Sequence, residues 1–327
     1  MIAHQRERTR GSAFPAHLWD QPVQDDQPPS RPGVTTELSV LASSSSGNCS
    51  ILMRGEGRRR RLTLIDAGIS PLRTRKMLAS WGLELEQIDD VLFTHLDTDH
   101  CHAGWVKGLP RHARFRVYAG HRGRARRARL TKRRTYVFGD APFDMADGVR
   151  VHPVRLDHDD LGVVAFRFEF DEQATLGYAT DLGRATDDLL RKLAGVDVLA
   201  IESNYCPRMQ MESDRPEFLK RRIMNGAGHL SNEECRVAVR AIEPRNDVVL
   251  LHLSKQCNTP ELAARLHLDE PYRLTIASPS MPTPLLRILD GQPDVSPDAK
   301  TTGNPPVVSC EAVSVSAGTT TAPRSIT

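Results

Sequence analysis

The sequence predicts an α/β fold of four layers, two mixed sheets face to face with helices on their outer sides. Three observations carry that expectation. Short apolar and period-2 runs mark strands from residue 36 to residue 277, in two antiparallel batches. Each batch is followed by strands that alternate with helical segments, the pattern of sheets covered by helices. A histidine or aspartate follows directly on the end of one predicted strand after another.

The elements are justified in order. Residues 1–34 are polar, charged and Pro-rich, and residues 286–327 are rich in Ser, Thr, Pro and Gly. Both are expected to be disordered, because they offer too little apolar surface to offset the entropy of ordering, which leaves one folded domain at 35–285. Strands at 36–42, 50–54 and 62–65 form a meander, with a Ser/Gly turn at 43–48 between the first two. Ser70 and Pro71 start a helix that stops at Gly82. A buried strand at 90–94 leads into Thr-His-Leu-Asp-Thr-Asp-His, then come a short helix and a strand at 115–119. The stretch 121–130 is too charged to bury much of a face and is read as an exposed helix or a basic loop.

Strands follow at 134–138, 149–156, 163–170 and 175–180, then a helix at 185–193 and a strand at 197–201. After a helix rich in Met and Arg, Ser231 and Glu234 have the spacing of a capping box and open a helix to 242. A strand at 247–251, a helix begun by Thr259 and Pro260, and a strand at 272–277 close the domain.

Composition excludes several classes. No run is long and apolar enough for a membrane span, and the first residues lack the apolar stretch of a signal peptide, so a cytoplasmic location is the expectation. The six cysteines include no Cys-x-x-Cys pair, which argues for reduced thiols over a disulfide framework or a zinc ribbon. Net charge is only +3, yet the twelve Lys and Arg between Lys107 and Arg134 have no Asp or Glu among them. Oligomeric state leaves no mark in the sequence.

Between residues 94 and 100, His95, Asp97, Asp99 and His100 place four candidate metal ligands within six positions. Mixed imidazole and carboxylate donors suit zinc, manganese or iron and are poor for calcium, which prefers oxygen alone. Asp66, His158, Asp181 and His252 also sit at strand ends. Residues at equivalent strand ends converge on one rim of a sandwich.

Ile65-Asp66-Ala-Gly, the run 94–100, Leu-Asp-His158-Asp, Ala-Thr-Asp181-Leu-Gly and Leu-His252-Leu-Ser resemble the ordered motifs of the metallo-β-lactamase superfamily. Leu-Ala-Ser-Ser-Ser-Ser-Gly-Asn at 41–48, Glu202-Ser-Asn-Tyr and Gly228-His-Leu-Ser-Asn-Glu are similar to its WalJ/YycJ-like branch, whose members are described as DNA exonucleases. The resemblance implies a four-layer αββα sandwich with two divalent metal ions, zinc or manganese, with iron as the alternative. One ion would take His95, residue 97 and His158, the other Asp99, His100 and His252, with Asp181 bridging. Asp66 would hold the ligand loop and His102 would stand beside it. Asp99 and His229 are the expected catalytic residues, His229 by binding the scissile phosphate or protonating the leaving oxygen. The chain departs from the pattern at Asp97, where the family has histidine. A carboxylate there favours manganese, iron or magnesium over zinc, or leaves that site weak or empty.

The function expected is phosphodiester hydrolysis, most simply a DNA exonuclease, by a metal-bridged hydroxide. The basic run follows directly on the ligand loop, and Arg122, Arg124, Arg126, Arg127 and Arg129 are the expected contacts to nucleic acid, with duplex DNA favoured because aromatic residues for stacking on single strands are scarce there. Three readings compete: a hydrolase of a small ester or cyclic nucleotide, a non-catalytic binding protein with a degraded metal site, and a di-iron oxidoreductase.

Overall fold

The computed structural model describes residues 34–56, 60–146, 148–156, 161–170, 174–226 and 228–289. The candidate ligand His158 lies outside them, as do residues 1–33 and 290–327 of the expected tails.

The chain begins with an antiparallel meander, β1 (Thr36–Ala42), β2 (Cys49–Arg54) and β3 (Arg61–Ile65). It continues through α1 (Pro71–Ala79) to β4 (Ile88–Leu92), through α2 (Trp105–Gly108) to β5 (Arg114–Tyr118), and through α3 (Arg122–Arg127) to β6 (Thr135–Phe138). From β3 to β6 every pairing is parallel.

The second half repeats the plan. β7 (Phe143–Met145), β8 (Val149–Leu156), β9 (Val163–Phe170) and β10 (Thr175–Ala179) pair antiparallel. Then α4 (Asp187–Leu193) leads to β11 (Val198–Glu202), and α5 (Pro207–Glu212), α6 (Glu217–Met224) and α7 (Asn232–Ile242) lead to β12 (Asp247–Leu251). Finally α8 (Pro260–Arg265) leads to β13 (Arg273–Ile276), with parallel pairing from β10 to β13. The sheets are ordered β7 to β13 in sequence and β14 (Leu286–Leu289), then β1 to β6.

Core contacts confirm four layers. Leu38, Val40 and Leu92 of the first sheet pack between the sheets against Phe166, Tyr178 and Val249 of the second. Leu78 of α1 and Trp105 of α2 cover the outer face of the first sheet, and Leu189 of α4 and Val239 of α7 cover that of the second. Strands buried on both faces read as unbroken apolar runs, as β11 and β12 do.

Local signals explain the helix starts. Ser70 accepts from Arg73 N–H, Thr259 accepts from Leu262 N–H, and the Ser231/Glu234 capping box is formed in both directions. The basic stretch forms the short helix α3, and the Met/Arg-rich segment is two helices broken before Pro216. Two strands depart from the sequence reading. β7 has only three residues, too few for an alternation to register. The domain boundary expected at 285 falls short, since Leu286–Leu289 pairs with β1 as an edge strand. Averaged with the polar residues beyond it, that four-residue run loses its apolar signal.

Candidate metal centre

Both halves switch from antiparallel to parallel pairing at the strand that precedes a site residue, β3 before Asp66 and β10 before Asp181. The parallel strands β3, β4, β10, β11 and β12 end next to Asp66, the 94–100 loop, Asp181, Glu202 and His252. Carboxyl ends of parallel strands are where open α/β sheets place their ligands.

The backbone at three of these ends is strained. Asp66, Asp181 and His252 have φ of 59°, 54° and 56°, the left-handed region, which costs a non-glycine residue on the order of 1–3 kcal/mol and persists only where the surroundings enforce it. At His252 they do so from both sides: its N–H donates to Ser43 Oγ at 2.8 Å and its carbonyl accepts from Asn204 Nδ2 at 2.7 Å. Glycine at 68 has a separate reason, because a Cβ there would lie 1.7 Å from the carbonyl oxygen of Asp99. The Asp-Ala-Gly turn is laced to the ligand loop: Ala67 N–H donates to His100 O, and His102 N–H donates to Ala67 O.

Asp66 is fully buried and does not face the cleft. Its carboxylate accepts from Thr94 N–H at 2.8 Å, from the Thr94 hydroxyl at 2.8 Å and from His100 Nδ1 at 2.8 Å. Nε2 of His100 is thus turned inward, 2.9 Å from Asp181 Oδ2 and 3.6 Å from Asp99 Oδ2. The Asn48 amide touches the same nitrogen at 3.0 Å.

His252 repeats the device. Its Nδ1 lies 3.0 Å from Oε1 of the buried Glu202, and its Nε2, 3.8 Å from Asp99 Oδ2, has no hydrogen-bond partner among the described residues. An imidazole fixed at one nitrogen by a carboxylate, with its other nitrogen buried and unpartnered, is the arrangement of a metal-ligating histidine. Glu202 Oε1 also accepts from His229 Nδ1 at 2.7 Å, while Oε2 accepts from Leu182 N–H at 2.6 Å.

The groups fit a divalent cation. Ligand atoms of Asp99, His100 and His252 lie within 4.8 Å of one another, as do those of His95, His100 and Asp181, and those of Asp181, Glu202, His229 and His252. The charges respond accordingly. Burial by itself would raise Asp181, but His252 and His100 hold it well below the usual carboxylate range. Burial would push His252 down, yet Asp181, Asp99 and Glu202 outweigh that and raise it to about 10; Asp181 and Asp66 likewise raise His100. Without a cation, the imidazoles carry the charge that compensates the carboxylates.

Elsewhere the expected residues part company. Asp97 Oδ1 is ion-paired with Arg124 of α3, and Oδ2 stands 3.9 Å from His95 Nε2. Asp97 belongs to none of the three clusters. His102 is exposed, its Nδ1 accepting from Gly104 N–H and making no contact with the ligand groups. Arg122, Arg126, Arg127 and Arg129 are exposed, and none of them lines the cleft above the centre.

That cleft, about 390 Å³, is bounded by His95, Asp99, Asp181, His229 and His252 and walled by Arg215 and Arg222. Glu202 and Asn48 touch the imidazoles of the centre, and Arg215 and Arg222 stand in the cleft wall, places that the sequence reading did not assign. For Glu202 a signal existed: like Asp66, it is an acid at the end of a wholly apolar run. For Arg215 there was none, since two of its three partners, Ser254 and Gln256, are distant in sequence.

Comparison with known proteins agrees with this geometry. The profile of a family described as β-lactamase superfamily domain matches residues 61–253. The chain is 27% identical over 268 residues to exodeoxyribonuclease WalJ of Streptococcus pneumoniae, covering 77% of this chain and 98% of that protein. It is 28% identical over 242 residues to exodeoxyribonuclease YycJ of Bacillus anthracis, covering 69% of this chain and 85% of that protein. Among solved structures, the metallo-β-lactamase fold protein YhfI of Bacillus subtilis superposes with a TM-score of 0.56 at 18% identity, covering 76% of this chain and 99% of that one.

Proposed function

The chain belongs to the β-lactamase superfamily domain family, and on that premise we propose that it is a metal-dependent phosphodiesterase acting on DNA, an exodeoxyribonuclease in type. One observation carries the reading: a cation-binding cluster lies on the floor of a cleft that also presents His229, tied to the buried Glu202. Asp99, His100, Asp181 and His252 would hold one divalent ion and His95 with Asp97 would help to hold a second, for which His158, outside the described residues, is the further ligand the sequence suggests; manganese or zinc suits these donors, and iron is the alternative. Bound there, the metal supplies Lewis-acid activation of water and offsets charge on the phosphate.

The chain's own residues do the rest. Asp66 and Glu202 keep the ligating nitrogens of His100 and His252 aimed inward. Glu202 Oε1 accepts from His229 Nδ1 and so orients that ring toward the cleft, where it suits a contact with the scissile phosphate or the leaving oxygen. Asp99, which lines the cleft, stays ionised because His252 and His100 offset the effect of its burial. The exposed arginines of α3 adjoin the ligand loop and suit backbone contact with a second strand, which supports a duplex substrate. No helix among the described residues is long and apolar enough to cross a membrane, and the free thiols Cys49, Cys101, Cys206, Cys235 and Cys257 suit a reducing compartment such as the cytoplasm.

The test is metal content measured together with cleavage of 5′-labelled duplex and single-stranded DNA, for wild type and Asp99→Ala. Metal-dependent release of nucleotides, lost in Asp99→Ala, is expected. Turnover of a small phosphodiester with no cleavage of DNA would overturn the nuclease reading.

A further inference from the structure

Arg215 stands between α5 and α6 in the wall of the catalytic cleft. Its guanidinium is fixed by three neutral acceptors: Nε donates to Gln256 Oε1 at 3.0 Å, Nη1 to Gln210 Oε1 at 3.0 Å and Nη2 to Ser254 Oγ at 3.2 Å. Gln210 is fully buried, and Ser254 and Gln256 follow His252 on the same loop. The position of Arg215 is therefore referenced to a residue of the metal centre.

Among the described residues no carboxylate pairs with Arg215. Of the flanking acids, Glu212 pairs with Arg208 and Glu217 with Arg221, and Asp214 makes no ion pair with Arg215. A guanidinium has five N–H donors, and three are spent here on uncharged groups. One N–H on each terminal nitrogen is left, in the planar fork that matches a phosphate, with the positive charge unneutralised.

We propose that Arg215, held by Gln210, Ser254 and Gln256, forms a subsite for a phosphate next to the scissile one, so that the preferred substrate is a linear oligonucleotide with at least two consecutive phosphates. A cyclic nucleotide or a simple diester leaves this subsite empty. The assignment rests on the phosphodiesterase reading and specifies the substrate of that same cleft.

The test uses the metal-loaded full chain as wild type, Arg215→Ala and Arg215→Lys, each checked for unchanged metal content and melting temperature. Hydrolysis of bis(p-nitrophenyl) phosphate, which has a single phosphate, is compared with hydrolysis of a short single-stranded DNA. In parallel, binding of the same fluorescent DNA to metal-free protein is followed by anisotropy at several salt concentrations. Arg215→Ala is expected to raise KM for the DNA by about 10- to 100-fold, the effect of losing a hydrogen bond to a charged group. Activity on the simple diester stays within about threefold, Arg215→Lys is intermediate, and the salt slope of binding falls by about 0.7, one phosphate contact to a single strand. Equal losses on both substrates would make Arg215 a structural support of the His252 loop and overturn the subsite, as would unchanged KM and salt slope. DNA binding that depends on Arg215 without any cleavage would keep the subsite and sink the nuclease reading.

Discussion

The two sides of the metal centre are built to different standards. On one side His100 and His252 are buried, each with a carboxylate behind it, Asp66 and Glu202, and Asp181 lies between them. On the other, His95 Nδ1 meets the Thr94 hydroxyl, and Asp97, with its side chain 32% exposed, is claimed by Arg124. The first side presents donors already desolvated and aimed. The second shares its carboxylate with an arginine, whose charge opposes a cation there. Two adjacent halves of one site should therefore differ in metal affinity, and perturbing each half measures the difference.

The largest effect is expected from Asp181, the group shared by both halves. Asp181→Asn removes the charge that balances His100 and His252, so metal content should fall below one ion per chain, with DNA cleavage at background. Elemental analysis after gel filtration, with circular dichroism to confirm folding, checks this. Retention of a full complement of metal would break the comparison at its centre.

Acid should act next most strongly, through the first half. In the metal-free chain His252 is raised to about 10, and His100 is raised as well. Imidazole must be neutral to ligate, so at pH 7 binding has to expel protons. Affinity then rises with pH by about tenfold per unit for each proton released, or about 100-fold between pH 6 and 8 for a single proton, and levels off only near pH 10. Linkage for the metal-free fold has the opposite sign. A raised imidazole stabilises it fully below the unfolded value of about 6.5, and that contribution is lost as pH rises through 10. Calorimetric titration with manganese in buffers of different ionisation enthalpy counts the protons.

The supports rank third. Asp66→Asn and Glu202→Gln should each weaken metal binding by about 10- to 100-fold, the usual effect of removing the partner behind a ligating histidine. Glu202→Gln should also lower kcat at saturating metal, because it loosens His229. Asp66 braces Thr94 and His100, so Asp66→Asn should leave kcat at saturating metal unchanged.

How legible this was follows from what each residue needs. His95, Asp99, His100, Asp181 and His252 could be read because ligand chemistry and strand-end position coincide within a few residues. Glu202 stands at the same kind of place, yet a carboxylate that only braces two imidazoles has no spacing to betray it. The basic run was visible as charge but not as direction: α3 turns Arg124 onto Asp97, and its other arginines do not line the cleft. Arg215 is defined by Gln210, Ser254 and Gln256, a contact across two helices and a loop that only tertiary structure brings together.

The smallest effect should come from the weaker half, and it is the most informative. A half-exposed ion pair is worth on the order of 1 kcal/mol, so freeing Asp97 by Arg124→Ala should tighten the second ion by about fivefold while the first is unmoved. Asp97→His abolishes the pair and restores an imidazole at the position, and should tighten the second ion further and shift preference from manganese toward zinc. Competition between the two metals, read as stoichiometry at fixed free-metal concentrations, separates these outcomes. If both variants bind as wild type does, the Asp97–Arg124 pair does not limit the second site, and the difference between the halves does not arise from Asp97.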